Sequence, residues 1–176
     1  MAQVRGFPPI ADAGARVLIL GSMPGKASLD AREYYAHPRN LFWPILCELI
    51  GARPDLPYAG RVRALNARGI AVWDVLESCV REGSLDADID EATIRVNDFA
   101  AFYRSHPRIA AVFFNGAKAE ACYRKHVLPR LGDRRAPLHY QRLPSTSPAH
   151  AAMSYLQKRS AWKAVIERLR SDRMAG

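Results

Sequence analysis

A chain of 176 residues, 49% of them hydrophobic, can bury one well-formed core and is short for two, so a single domain over residues 1–176 is expected. It has no run of about 18 apolar residues, and its first residues, MAQVRGFPPIADAG, lack the apolar centre of a secretion signal, which excludes a membrane span and predicts a soluble, cytoplasmic protein. The 26 Lys+Arg against 17 Asp+Glu leave a charge of +9 and point to a polyanionic partner, while Cys47, Cys79 and Cys122 are too scattered for a zinc site, a disulfide framework or an ordinary iron–sulfur cluster. The cysteines are expected as buried, reduced thiols. Only five of the cations are lysines, and arginine is the residue that grips phosphate in a planar fork, although a GC-rich genome also favours it.

In chain order, Val17-Leu18-Ile19-Leu20 is an unbroken apolar run that suits a strand buried on both faces of a parallel sheet. Gly21-Ser22-Met23-Pro24-Gly25 ends it, either as an ordinary turn or as a loop that lets the backbone approach a ligand at the carboxyl end of a strand. Tyr34, Tyr35, His37, Arg39, Asn40, Phe42 and Trp43 then fall close together, and Leu41 to Ile50 reads as a helix with Pro44 in its first turn. Tyr58 to Arg68 reads as a helix stopped by Gly69, and Ile70 to Trp73 as a second strand delivering Asp74 to its end. Val75 to Glu91 has no clean periodicity and is expected to be a loop with at most a helical turn. Asn97 is expected to cap a helix through Phe99, Phe102 and Tyr103 that Pro107 closes. Ile109 to Phe114 makes the third strand, Asn115-Gly116 its exit turn, and Ala117 to Leu128 a helix ended by Pro129. Leu138 to Leu143 makes the fourth strand, and Pro144 to His150 a loop rigid at both ends. Ser154 is expected to cap a last amphipathic helix with Tyr155, Trp162, Val165, Ile166 and Leu169 on one face. Strands alternating with helices predict a three-layer α/β/α fold with a central four-stranded parallel sheet.

Three candidate elements, Gly21 to Asn40, Asp74, and Ser145 to His150, all follow predicted strands and so share one edge of a parallel sheet. The last of them offers hydroxyls and backbone amides between two prolines, a composition suited to phosphate oxygens and equally to a rigid turn that caps the next helix.

The residues GSMPG with YYAHPRNLFWPIL, then FFNG, then LPSTSPAHA before an amphipathic helix closely resemble the hypoxanthine-DNA glycosylases (DNA-deoxyinosine glycosylases), a branch of the uracil-DNA glycosylase superfamily. The resemblance runs through nearly the whole chain. It implies a monofunctional enzyme that flips a deaminated base, chiefly hypoxanthine, out of double-stranded or single-stranded DNA and cuts its N-glycosidic bond, initiating base excision repair. It implies no metal or organic cofactor, no membrane, and action as a monomer. Within it, Ser22 and Met23 belong to the base-binding loop, and Met23 stands where many branches carry a water-positioning Asp or Asn. Asn40 matches the residue this branch uses instead and is the expected catalytic group. Phe42 matches the aromatic that stacks on the flipped base, and Asp74 falls where relatives place a base-reading Asn. There a carboxylate would accept N1–H of hypoxanthine; the plainer role for Asp74 is to cap a turn. Ser145, Thr146, Ser147 and His150 are the expected DNA contacts. Ser145 replaces a histidine found in relatives, and Ala149 stands where some carry a bulky wedge, a role His150 is placed to take. A uracil or mismatch-type glycosylase on the same scaffold and a non-catalytic DNA or nucleotide binder are the competing readings.

Overall fold

The computed structural model describes residues 2–132 and 138–175. Its centre is the apolar run read above. Strand β2, Val17–Gly21, is buried along its whole length because it pairs in parallel on both sides, with β3, Ile70–Asp74, and with β6, Ala111–Asn115. The edge strand β7, His139–Leu143, pairs with β6, giving the order β3-β2-β6-β7. Leu18 lies opposite Ala71 and Val112, and Ile19, on the other face, opposite Val72 and Phe113, so both faces of the inner strands are apolar and must be covered. Helices α2 (Phe42–Ile50), α3 (Tyr58–Ala67) and α7 (Tyr155–Met174) pack together as one covering layer. Helices α4 (Phe99–Ser105), α5 (Ala117–Cys122) and α6 (Leu128–Leu131) form the other. The three-layer α/β/α fold with a four-stranded parallel sheet is therefore present. The short helix α1, Lys26–Ala31, follows the loop after β2.

The segment after Asp74 differs from expectation. Leu76–Val80 is a strand, β4, pairing antiparallel with β1 (Gln3–Arg5) on one side and β5 (Arg95–Val96) on the other. Its two partners are two and three residues long and one is more than 70 residues away, so no local pattern announces the ribbon. Two further boundaries shift. Asp98, not Asn97, caps α4 by accepting from the Ala101 amide, and the Asn97 side chain instead donates to the Asp74 carbonyl at 2.8 Å. The helix after Gly116 does not stop at Pro129. It widens into a π-helical stretch over Tyr123–Val127 and resumes as α6, where the proline occupies the first turn and needs no amide.

Ser154 caps α7 in a reciprocal arrangement with Gln157, and Trp162, Val165, Ile166 and Leu169 are buried beneath it. Tyr155 is only half-buried and donates to Glu48 on α2 at 2.6 Å. All three cysteines are buried and free. Each tryptophan is buried and donates to a backbone carbonyl in a distant segment: Trp43 to Tyr34, Trp73 to Phe7 and Trp162 to Pro144.

Candidate active site

The carboxyl ends of β2, β3, β6 and β7 surround a cavity of about 690 Å³. Ser22, Met23, Asn40, Asp74, Ser145, Thr146, Ser147 and His150 all line it, so the structure brings together every candidate residue except Phe42. A second depression of about 630 Å³, between Trp73 and helices α4 and α6, holds none of them.

Gly21 sits at the floor. A Cβ there would stand 2.5 Å from Asp74 Oδ1 and 3.0 Å from the Tyr35 hydroxyl, so only glycine leaves room for those two groups over the strand end. The rest of the loop is clamped from outside by the turn that follows β4. Ser22 Oγ donates to Asp86 at 2.5 Å, Arg81 donates to the Pro24 carbonyl at 2.6 Å and to the Gly83 carbonyl at 3.1 Å, and Ser84 Oγ accepts from the Lys26 amide. The loop that read as free chain from sequence is thus one wall of the cavity.

Asp74 is buried, and among the described residues its Oδ2 has no hydrogen-bond partner. Burial first, and the nearby Asp86 charge second, push its carboxyl up to about 7, with Arg81 opposing. Turn capping, its plainer role, is not what its side chain does here. A buried carboxyl with a vacant acceptor, on a residue that lines the cavity, is suited to a ligand N–H.

The tandem Tyr34-Tyr35 divides its work. Tyr34 is buried: its hydroxyl donates to the Pro8 carbonyl and its amide to the Tyr58 hydroxyl, fixing the segment to the body. Tyr35 adopts φ 55, a left-handed conformation that a bulky residue takes only when its surroundings force it. Its ring lies on Phe42 with centroids 4.0 Å apart and planes 19° apart. Phe42 is fully buried beneath it and packs edge-on against Trp43 and Trp162. Phe42, expected as the stacking ring, therefore does not line the cavity; Tyr35, which covers it, does so together with Tyr34. The two rings are seven residues apart in sequence, and which covers the other depends on a backbone angle that residue type does not betray.

Asn40 is half-buried at the cavity wall. Its Oδ1 accepts from the Phe42 amide at 3.0 Å, which fixes the side chain at the start of α2. One lone pair and the NH2 group remain free of partners among the described residues, enough to orient a water molecule.

Asn115 was read only as part of an exit turn, yet it bridges two elements. Its Nδ2 donates to Thr146 Oγ1 and its Oδ1 accepts from the Thr146 amide, both at 2.9 Å. Gly116, at φ 94, lets the chain turn there with Ser145 packed against it. Within the Ser145–His150 loop, Ser145 Oγ accepts from the Ser147 amide and Ser147 Oγ from the Ala149 amide. Both hydroxyl protons are left to donate to an anion. The positively charged or polar groups Lys26, Arg39, His37 and His150 stand exposed around the mouth.

Residues 8–170 match the model of the Uracil DNA glycosylase superfamily, and the chain belongs to that family. It is 34% identical to a protein named hypoxanthine DNA glycosylase from Methanosarcina acetivorans, over 92% of this chain and 97% of the relative. A protein of the same name from Methanosarcina barkeri is 39% identical over 65% of this chain and 72% of its own length. A solution NMR structure from Methanosarcina acetivorans, provisionally described as a uracil DNA glycosylase, superposes with a TM-score of 0.79 at 33% identity, covering 96% of this chain and 99% of that one.

Proposed function

We propose that this protein is a monofunctional DNA glycosylase that removes deaminated bases, chiefly hypoxanthine, and so initiates base excision repair. The observation that carries the reading is the convergence of Asn40 with the buried, unpartnered Asp74 oxygen in one cavity at the strand ends. A base flipped into that cavity lies against Tyr35. Asp74, when ionised, accepts N1–H of hypoxanthine; adenine has no proton there and leaves the buried carboxylate unpaired. Asn40 holds a water molecule for attack at C1′ as the base departs through an oxocarbenium-like state, which needs a positioned water more than a strong base. Ser145, Thr146 and Ser147 grip the flanking phosphates, and His150 stands at the rim of the gap.

Among the described residues Lys26 is the lysine on the cavity wall, and its ammonium is paired with Asp30 at 2.8 Å, so no free amine is poised there to form a Schiff base. One copy of the chain holds every candidate group, which supports action as a monomer on double-stranded or single-stranded DNA. Three buried thiols suit a reducing compartment such as the cytoplasm. The test is an inosine-containing oligonucleotide incubated with the protein. Alkali should then cut the strand at inosine, and without alkali the strand should stay whole. An alkali-stable strand would leave a binding module; a strand cut without alkali would make the enzyme bifunctional.

A further inference from the structure

Among the described residues three charged side chains are buried: Asp74, which faces the cavity, Arg81, which holds the Gly21–Gly25 loop, and Lys158. Lys158 stands at the start of α7 and is 2% exposed. A buried ammonium is costly unless it is well paired, yet Lys158 Nζ donates to a neutral group, the His150 carbonyl, at 2.6 Å. Burial accordingly lowers its proton affinity from the usual lysine value. The position of that carbonyl explains what the charge is spent on. The first half of the 144–150 loop is held three times over, by Trp162 at the Pro144 carbonyl, by the Leu41 amide at the Thr146 carbonyl, and by Asn115 at Thr146. The second half, Pro148 to His150, projects with Ala149 and His150 exposed at the cavity rim, and Lys158 ties its end to the helix.

We propose that Lys158 is a positioning residue that stiffens the Pro148–His150 tip, so that the tip can occupy a duplex while a base leaves it. The proposal rests on the glycosylase reading. Extruding a base from a duplex gives up its pairing and stacking, and a tip that recoils lets the base return. In a single strand no opposing base or intact stack has to be held open, and a soft tip loses little.

The experiment compares wild type and Lys158→Met, which keeps the apolar stem and removes the donor, on one inosine-containing strand presented alone and in a duplex, under single-turnover conditions. The variant should lose about tenfold or more on the duplex, the scale on which misplacement away from the chemistry acts, and stay within about threefold of wild type on the single strand. With 2-aminopurine beside the inosine, the variant should also give a smaller fluorescence rise in the duplex. No loss, an equal loss on both substrates, or a larger loss on the single strand overturns the proposal, since a residue needed only for folding would slow both alike. If wild type cleaves neither substrate, the glycosylase reading itself falls, and the proposal with it.

Discussion

The Tyr35-on-Phe42 stack makes two adjacent aromatics separable by experiment. Removing a ring that stacks on a base costs about 1–3 kcal/mol, or roughly 5–150-fold, so Tyr35→Ala should lower kcat/KM on inosine DNA by that factor while Tyr35→Phe retains most activity. Phe42→Ala should instead destabilise the fold by about 3–5 kcal/mol, as buried aromatic truncations do. Denaturant melts and kinetics on both variants check this, and a fully active Tyr35→Ala would return the stacking role to another group. Asn40→Ala should cost roughly two to three decades in turnover with DNA affinity nearly intact, read in single-turnover assays. For Asp74 the sign follows from its raised value of about 7. The ionised acceptor is lost as pH falls through that value, so hypoxanthine cleavage should show an acid limb near pH 7. Asp74→Asn should remove the limb and shift preference toward uracil, by about 1–3 kcal/mol, because an amide can accept from N3–H and donate to O4. An unchanged limb or an unchanged hypoxanthine to uracil ratio would count against Asp74. Stability linkage runs the other way: a carboxyl with a raised value favours the fold below its unfolded range near pH 4 and loses that contribution as pH rises through about 7. Asp74→Asn should therefore gain stability over wild type more at pH 8 than at pH 4. Residue type placed Asp74 at a strand end, and the resemblance of its motif singled out Asn40. They gave Tyr35 only as one of a cluster of aromatics, and its place over Phe42 was not legible in residue type.

Among the elements, the four parallel strands were legible because each is a short apolar run between turn residues, and burial on both faces demands that composition. The antiparallel ribbon β1-β4-β5 was not, since Leu76–Val80 alternates imperfectly and its pairing is long-range. That omission hid a wall of the cavity, with Ser84, Leu85 and Asp86 on the turn after β4. Pro129 misled because the π-helical turn before it restarts the helix, placing the proline where a missing amide costs nothing. The Asn115–Thr146 bridge is an element-level joint between the end of β6 and the loop after β7. Asn115→Ala removes both of its bonds and leaves the Thr146 amide unsatisfied, which should lower stability by about 1–3 kcal/mol and weaken DNA affinity measured by anisotropy. If affinity holds while stability drops, the bridge serves the fold alone.

For the chain as a unit, a charge of +9 and a family membership that implies a DNA substrate make binding strongly dependent on salt. Each phosphate neutralised contributes about −0.9 to the slope of log affinity against log salt, so even about three contacts should cost more than tenfold between roughly 50 and 200 mM. Affinity that stays flat over that range would mean the basic surface faces away from DNA. Composition predicted the sign of this charge at once; it could not say where the cations lie, because a formal total carries no geometry.

The three indole-to-carbonyl bonds have an optical consequence. Trp43 is tied to Tyr34 beside the stacking ring, Trp162 to Pro144 at the root of the loop after β7, and Trp73 sits next to Asp74 in the chain. The protein thus carries native chromophores bonded to the segments that frame the cavity, and their emission should shift when a base enters it. Stopped-flow tryptophan fluorescence could then time base entry separately from bond cleavage, with no dye attached to protein or DNA.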